Sequence, residues 1–110
     1  VYAASDLYLM PSKSEPCGLS QLIAMRMGSV PVVNATGGLK DTVWPYNEAD
    51  ETGRGFTFQS YNADDMLGAV RRAMGLYYSE YRAEMLPRAL KCDFSWRRSA
   101  KQYMAMYLGI

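Results

Sequence analysis

This sequence predicts an α/β domain built on a parallel sheet, and three observations carry that prediction. Short runs rich in β-branched and aromatic residues, at 7–10, 30–33 and 55–59, are separated by stretches with helical periodicity. The second run, Val30-Pro31-Val32-Val33, is apolar without alternation, the pattern of a strand buried on both faces. Strands that alternate with helices pair in parallel through right-handed crossovers.

In chain order, residues 1–5 read as the tail of a helix, and Ser5-Asp6 as the turn into the first strand. Leu7-Tyr8-Leu9-Met10 reads as a buried strand that Pro11 stops. A polar loop follows. A helix then runs from Ser20 to about Met27, closed by Gly28 as a left-handed C′ residue. Within the second strand Pro31 fits only near the start, or where its missing N–H is not needed. Residues 35–39 form a glycine loop, and 40–43 a short helical turn.

Trp44 to Arg54 has the composition of a surface loop. It lacks the alternating Asp or Asn, central Gly and terminal Glu of a calcium loop. After the third strand, Asn62 is an N-cap with Asp65 at N3. The stripe Met66, Leu67, Val70, Ala73, Met74 and Tyr77 predicts a helix laid on a core. A second helical stretch over 80–90 contains Pro87, which predicts a kink or a split there. Ser95 caps a last amphipathic helix with the stripe Trp96, Ala100, Tyr103, Met104 and Tyr107. The methionines fall mostly on core positions. Three strands are few for a doubly wound domain, and the chain opens in mid-pattern without methionine. Further strands are therefore expected upstream of Val1.

Composition excludes several functions. Twelve basic against eleven acidic residues leave a net charge of +1, which gives no support for a nucleic-acid partner. The basic pairs Arg71-Arg72 and Arg97-Arg98 read as solvated helix faces. No histidine is present, which removes Ser-His-Asp and Cys-His nucleophiles and histidine metal sites. Cys17 and Cys92 match no zinc spacing, and so few thiols point to a reducing cytoplasm. The absence of an 18-residue apolar run or a signal peptide predicts a soluble protein with no membrane partner.

The chemistry concentrates between Ser12 and Gly28. Strand, short loop and helix form the geometry in which backbone amides converge on an anion. Glu15, just ahead of those amides, is placed to accept hydrogen bonds from a polyol such as a sugar. Taken alone, Glu15 serves equally as an acid complementing a helix dipole. Cys17 reads as a packing thiol with nothing beside it to activate it. Gly37-Gly38 is either a plain turn or part of the binding site.

Met10-Pro11-Ser12, Glu15-Pro16-Cys17-Gly18-Leu19-Ser20-Gln21-Leu22, Val30-Pro31-Val32-Val33 and Thr36-Gly37-Gly38-Leu39-Lys40-Asp41-Thr42-Val43 together resemble bacterial glycogen synthases and plant starch synthases. The likeness continues through Gly55-Phe56-Thr57-Phe58 and Asp93-Phe94-Ser95-Trp96, so it covers nearly the whole chain in order. The resemblance implies that residues 1–110 are the C-terminal portion of the second, Rossmann-like domain of a GT-B glycosyltransferase. It implies transfer of glucose from ADP-glucose to the non-reducing end of an α-1,4-glucan, with retention of configuration, no metal and no cofactor, in the cytoplasm or a plastid.

By the same resemblance Glu15 is the acid that contacts the donor glucose. Cys17, Gly18 and Leu19 form the loop whose backbone faces the sugar hydroxyls, with Gly18 giving room for that approach. Ser20 and Gln21 start the helix near the distal phosphate, and Thr36, Gly37 and Gly38 form a second loop close to the cleft. Glu15 orients hydroxyls and stabilises oxocarbenium character, with a nucleophilic role left open. Two positions depart from related transferases: Ile23 stands where many carry a second glutamate, which favours the glycogen and starch synthase branch, and Ser14 replaces a common aromatic.

Two other classes of function fit the same residues. One is a non-catalytic nucleotide-sugar module, or a GT-B transferase with another acceptor; the other is a folding unit with no activity. The basic residues that hold the pyrophosphate in this family lie upstream of Val1. The chain alone is therefore expected to be inactive, and to self-associate through an exposed sheet edge.

Overall fold

Three parallel strands, β1 (Leu7–Met10), β2 (Val30–Asn34) and β3 (Phe56–Phe58), lie in that order in the computed structural model, which describes residues 1–47, 49–50, 52–80 and 82–109. Leu7 pairs with Val30 and Met10 with Val33, while Val32 pairs with Phe56 and Asn34 with Phe58. Every residue of β2 is buried, as its unbroken apolar run predicts. Pro31 is tolerated for a local reason. The Val30 N–H donates to Asp6 O on the β1 side, so by alternation position 31 points toward β3, whose ladder begins only at Val32.

β1 departs from its sequence reading. It is an edge strand, half-buried along its length, with Leu9 46% exposed. The expected helix tail before it is one 3-10 turn, Tyr2–Ala4.

Five helices follow among the described residues: α1 (Ser20–Arg26), α2 (Gly37–Thr42), α3 (Ala63–Tyr77), α4 (Arg82–Leu90) and α5 (Trp96–Tyr107). α1 ends as expected. Gly28 has φ 87°, its N–H donates to Met25 O, and the Ser29 N–H donates to Ala24 O, which is the paired pattern of a Schellman stop. α2 begins three residues earlier than the sequence implies. The glycine pair read as loop forms its first turn, because that turn is held against the segment after β1.

α3 starts at the predicted cap, where Asn62 Oδ1 accepts from the Asp65 N–H at 2.8 Å. Asp65 does not return the bond to residue 62. Its carboxylate accepts from the Ser60 N–H instead. The helix is rotated from the predicted stripe: Ala69 and Ala73 are buried, whereas Leu67 and Met74 stay more than 40% exposed. Small residues at 69 and 73 let the helix approach β2 and β3 closely.

α4 does not split at Pro87. It runs unbroken from Arg82, because Met85 and Ala89, both buried, anchor the turns on either side. That burial outweighs the single hydrogen bond a proline forfeits. Tyr81, in the predicted 80–90 stretch, lies outside the described residues, as do Glu48 and Glu51 of the 44–54 loop. That loop folds back on itself, with bridges between Pro45 and Gly55 and between Asn47 and Thr52.

Helices cover both faces of the sheet. On one, Val30, Val32, Phe56, Phe58, Ala69, Ala73 and Met85 pack together. On the other, Met25, Val33, Leu39, Val43 and Ala89 form a second cluster. Only some of the methionines serve these cores. Met27, Met74, Met104 and Met106 are exposed, contrary to the core assignment.

α5 departs furthest from its sequence reading. Its cap is present, with Ser95 Oγ accepting from the Arg98 N–H, yet the helix buries no residue. Trp96, Tyr103 and Tyr107 are 86%, 56% and 78% exposed. Among the described residues no helix is long and apolar enough to cross a membrane.

Candidate active site

The residues singled out by sequence meet beyond the carboxyl ends of β1 and β2, where open parallel sheets place their ligands. Two loops leave those ends, residues 11–19 after β1 and 35–36 after β2, and they lock together through backbone. The Gly38 N–H donates to Glu15 O at 3.1 Å. Asn34, the buried last residue of β2, donates from Nδ2 to Ser12 O at 2.9 Å. The approach is close enough to demand glycine. A Cβ on Gly37 would fall on Glu15 O, and one on Gly38 would meet Cys17 O at 2.6 Å and run into Cys17 Cα. Gly37 also has φ 48°, which side chains rarely adopt. The pair is more than a plain turn, since it is where the backbones of the two loops touch.

Gln21 is a buried member of α1, on the inner stripe it shares with Ala24 and Met25. Its Nε2 donates to Cys17 O and Gly18 O, both at 3.0 Å, and lies 3.1 Å from Thr42 Oγ1. Thr42 in turn donates to Gly38 O at 2.8 Å. A single carboxamide thus ties the loop after β1 to α2. The space beside Gly18 is filled by the same side chain, since a Cβ there would lie 2.6 Å from Gln21 Oε1. Gln21 Oε1 has no hydrogen-bond partner among the described residues.

These placements sort the predicted site residues. Gln21 holds the loop with its side chain, while Gly37 and Gly38 set the distance between the two loops. Thr36 stands at the N-cap of α2 without a side-chain capping bond, and Leu19 does the same for α1, whose first turn therefore begins uncapped at Ser20. Cys17 is exposed, so the packing-thiol reading is replaced by a thiol facing outward. Glu15 is half-buried, and among the described residues its carboxylate makes no hydrogen bond or ion pair. Its backbone is fixed while its acid group is left unspent. No group of three or more His, Cys, Asp or Glu is assembled as a metal site among the described residues.

Asn34 and Thr42 were not singled out by sequence. Asn34 carried a signal, as the polar residue that ends an apolar strand run; Thr42 carried none.

The profile of the family described as "Glycosyl transferases group 1" matches residues 1–91. The glycogen synthase of Clostridium novyi is 51% identical over 100% of this chain and 23% of its own length. That of Geobacillus thermodenitrificans is 54% identical over 97% of the chain and 22% of its own length. Among solved structures, the catalytic domain of starch synthase IV from Arabidopsis thaliana, bound to ADP and acarbose, superposes with a TM-score of 0.86 at 41% identity. That match covers 97% of this chain and 23% of the plant protein's chain. The chain thus spans less than a quarter of the length of these relatives. The α/β arrangement with its parallel sheet is that of a starch synthase catalytic domain. With sequence profile and fold in agreement, the chain belongs to the group 1 glycosyl transferases.

Proposed function

We propose that this chain is the donor-side portion of a retaining glucosyltransferase, the C-terminal part of the second domain of a GT-B enzyme. The whole enzyme transfers glucose from ADP-glucose to the non-reducing end of an α-1,4-glucan, in a bacterial cytoplasm or a plastid. One observation carries the reading: a carboxylate with no partner among the described residues, Glu15, stands on a loop whose backbone is fixed by Asn34, Gln21 and Gly38. A rigid backbone presenting an unspent acid suits the binding of sugar hydroxyls, because no reorganisation is needed when the ligand arrives. The relatives named glycogen synthase, and the plant enzyme solved with ADP and acarbose, support the choice of donor and acceptor.

Within this reading Glu15 accepts hydrogen bonds from the donor glucose and stabilises positive charge developing at its anomeric carbon. The loop at Cys17, Gly18 and Leu19 lines the sugar through its backbone. Negative charge grows on the departing diphosphate, and the uncapped amides of Ser20 and Gln21 are assigned to it. Thr36 borders the same cleft. Gln21, Gly37 and Gly38 act as positioning residues.

A full-length protein carrying this sequence is expected to elongate maltooligosaccharides from ADP-glucose, while the 110-residue chain alone does not. Failure of the full-length protein with both ADP- and UDP-glucose would overturn the assignment. The unpaired outer edge of β1, with Leu9 exposed, also leads us to expect self-association of the isolated chain. Light scattering that returns a monomer at high concentration would count against that.

A further inference from the structure

The C-terminal end of α4, the start of α5 and the segment at Thr52–Arg54 line a shallow, open hollow of about 630 Å³. That volume is in the range of small-molecule sites. Four cationic side chains line it, Arg54, Arg88, Lys91 and Arg98, against one carboxylate among the described residues, Asp93. None of the residues of the Glu15 loop takes part.

The cations are held in place by backbone acceptors and aromatic faces, and Glu84, Asp50 and Asp93 offset part of their charge. Arg54 donates from Nε to Thr42 O at 2.9 Å. Its guanidinium centre lies 4.2 Å from the Trp44 ring and 5.2 Å from that of Phe94. Arg98 donates from Nη1 to the backbone oxygen of Asp93, and its charge adds to the Ser95 hydrogen bonds that hold the Asp93 carboxyl below the usual carboxylate range. Arg88 has a loose ion pair, Nη2 to Glu84 Oε2 at 3.8 Å, adds to the Thr52 hydrogen bonds that lower the Asp50 pKa, and has its Nη1 buried with no hydrogen-bond partner among the described residues. Lys91 has no ion pair among the described residues. A buried guanidinium nitrogen without an acceptor costs free energy, and like charges around one hollow repel each other. Both penalties disappear when a compact dianion enters, because phosphate oxygens accept from arginine forks in pairs.

We propose that this hollow is a binding site for a phosphate monoester group. The phosphoryl oxygens sit on Arg88, Lys91 and Arg98, and the half-exposed Trp44 ring borders whatever carries them. The shared chemistry is the phosphoryl dianion, supplied either as inorganic phosphate or as the ester of a small sugar. The site is independent of the glucosyltransferase reading, since it rests on none of the Glu15 loop.

The test is a titration followed by Trp44 fluorescence in a Trp96→Phe background, with circular dichroism to check the fold of each variant. The ligands are inorganic phosphate, glucose 1-phosphate and, as a neutral control, glucose. Saturable changes with both phosphates at about millimolar concentrations, and none with glucose, are expected. Raising ionic strength from about 0.01 to about 0.15 M weakens binding, as the screening length falls from about 30 to about 8 Å. Arg88→Gln weakens it about tenfold, the worth of one charge-assisted hydrogen bond. Lys91→Gln with Arg98→Gln, both at exposed positions, weakens it at least as much and guards against misfolding of the Arg88 variant. Equal affinity for the two phosphates assigns the site to the phosphoryl group alone. Tighter binding of the ester places its sugar against Trp44. No saturation with either phosphate, an equal response to glucose, or affinity unchanged in the double variant overturns the proposal.

Discussion

Glu15→Ala in a full-length protein that carries this chain is expected to lower turnover by about 10²- to 10³-fold, the range seen when one preorganised electrostatic group is removed from a transition state. Stability should change by less than about 0.5 kcal/mol. The carboxylate has no partner among the described residues, so its removal orphans no protein group. The loop itself is held through the Glu15 backbone oxygen, which alanine keeps. Glu15→Gln separates two contributions. If the acid acts through its charge on the developing cation, glutamine loses nearly as much as alanine; if it acts by accepting hydrogen bonds from hydroxyls, glutamine recovers much of the rate. Steady-state kinetics with ADP-glucose, alongside thermal melts, give both readouts. Turnover unchanged in the alanine variant removes Glu15 from the site.

Gly38→Ala is expected to destabilise the fold by about 3 kcal/mol, at the upper end of overpacking penalties, which lowers the Tm of a domain this size by more than about 10 °C. The added methyl meets backbone, Cys17 O at 2.6 Å and Cys17 Cα. A flexible side chain would swing aside, but here α2 or the Glu15 loop must shift bodily. Either movement stretches the bond from the Gly38 N–H to Glu15 O and the bond from Thr42 to Gly38 O. The variant should therefore lose donor binding along with stability. Gly75→Ala is the control: a Cβ there meets nothing within 4 Å, and a helical glycine replaced by alanine gains about 1 kcal/mol. A Gly38→Ala protein that melts with the parent would show that the two loops are not in contact.

The parts legible in the sequence are those set by local chemistry. The unbroken apolar run at β2, the Asn62 and Ser95 caps and the Gly28 stop each follow from a few neighbouring residues, and each is present. What failed was decided at a distance. The glycine pair at 37–38 read as loop because its helical turn depends on backbone more than twenty residues earlier. The split allowed for at Pro87 is absent because the burial of Met85 and Ala89 is invisible to a rule about hydrogen bonds. The stripe of α5 reported an amphipathic helix correctly, but periodicity does not say what covers the apolar face.

The same limit applied at the site. Glu15 was found through its neighbours and its resemblance to known synthases, and among the described residues its carboxylate has no partner. Gln21 was grouped with the ligand contacts, although its place at i, i+3, i+4 with Ala24 and Met25 marks the inner face of α1. A polar residue on a core stripe is buried only where it can form hydrogen bonds, and here its partners are the carbonyls of the loop.

The bare surface of α5 governs how the stability of this chain should be measured. A twelve-residue helix with no fully buried residue rests mainly on its caps and intrinsic propensity, and helices of that length are marginal in water. Its melting is therefore uncoupled from the cooperative loss of the sheet, and far-ultraviolet ellipticity sums two transitions. Amide exchange at Val32 and Val33, in the central strand, isolates the one that belongs to the core.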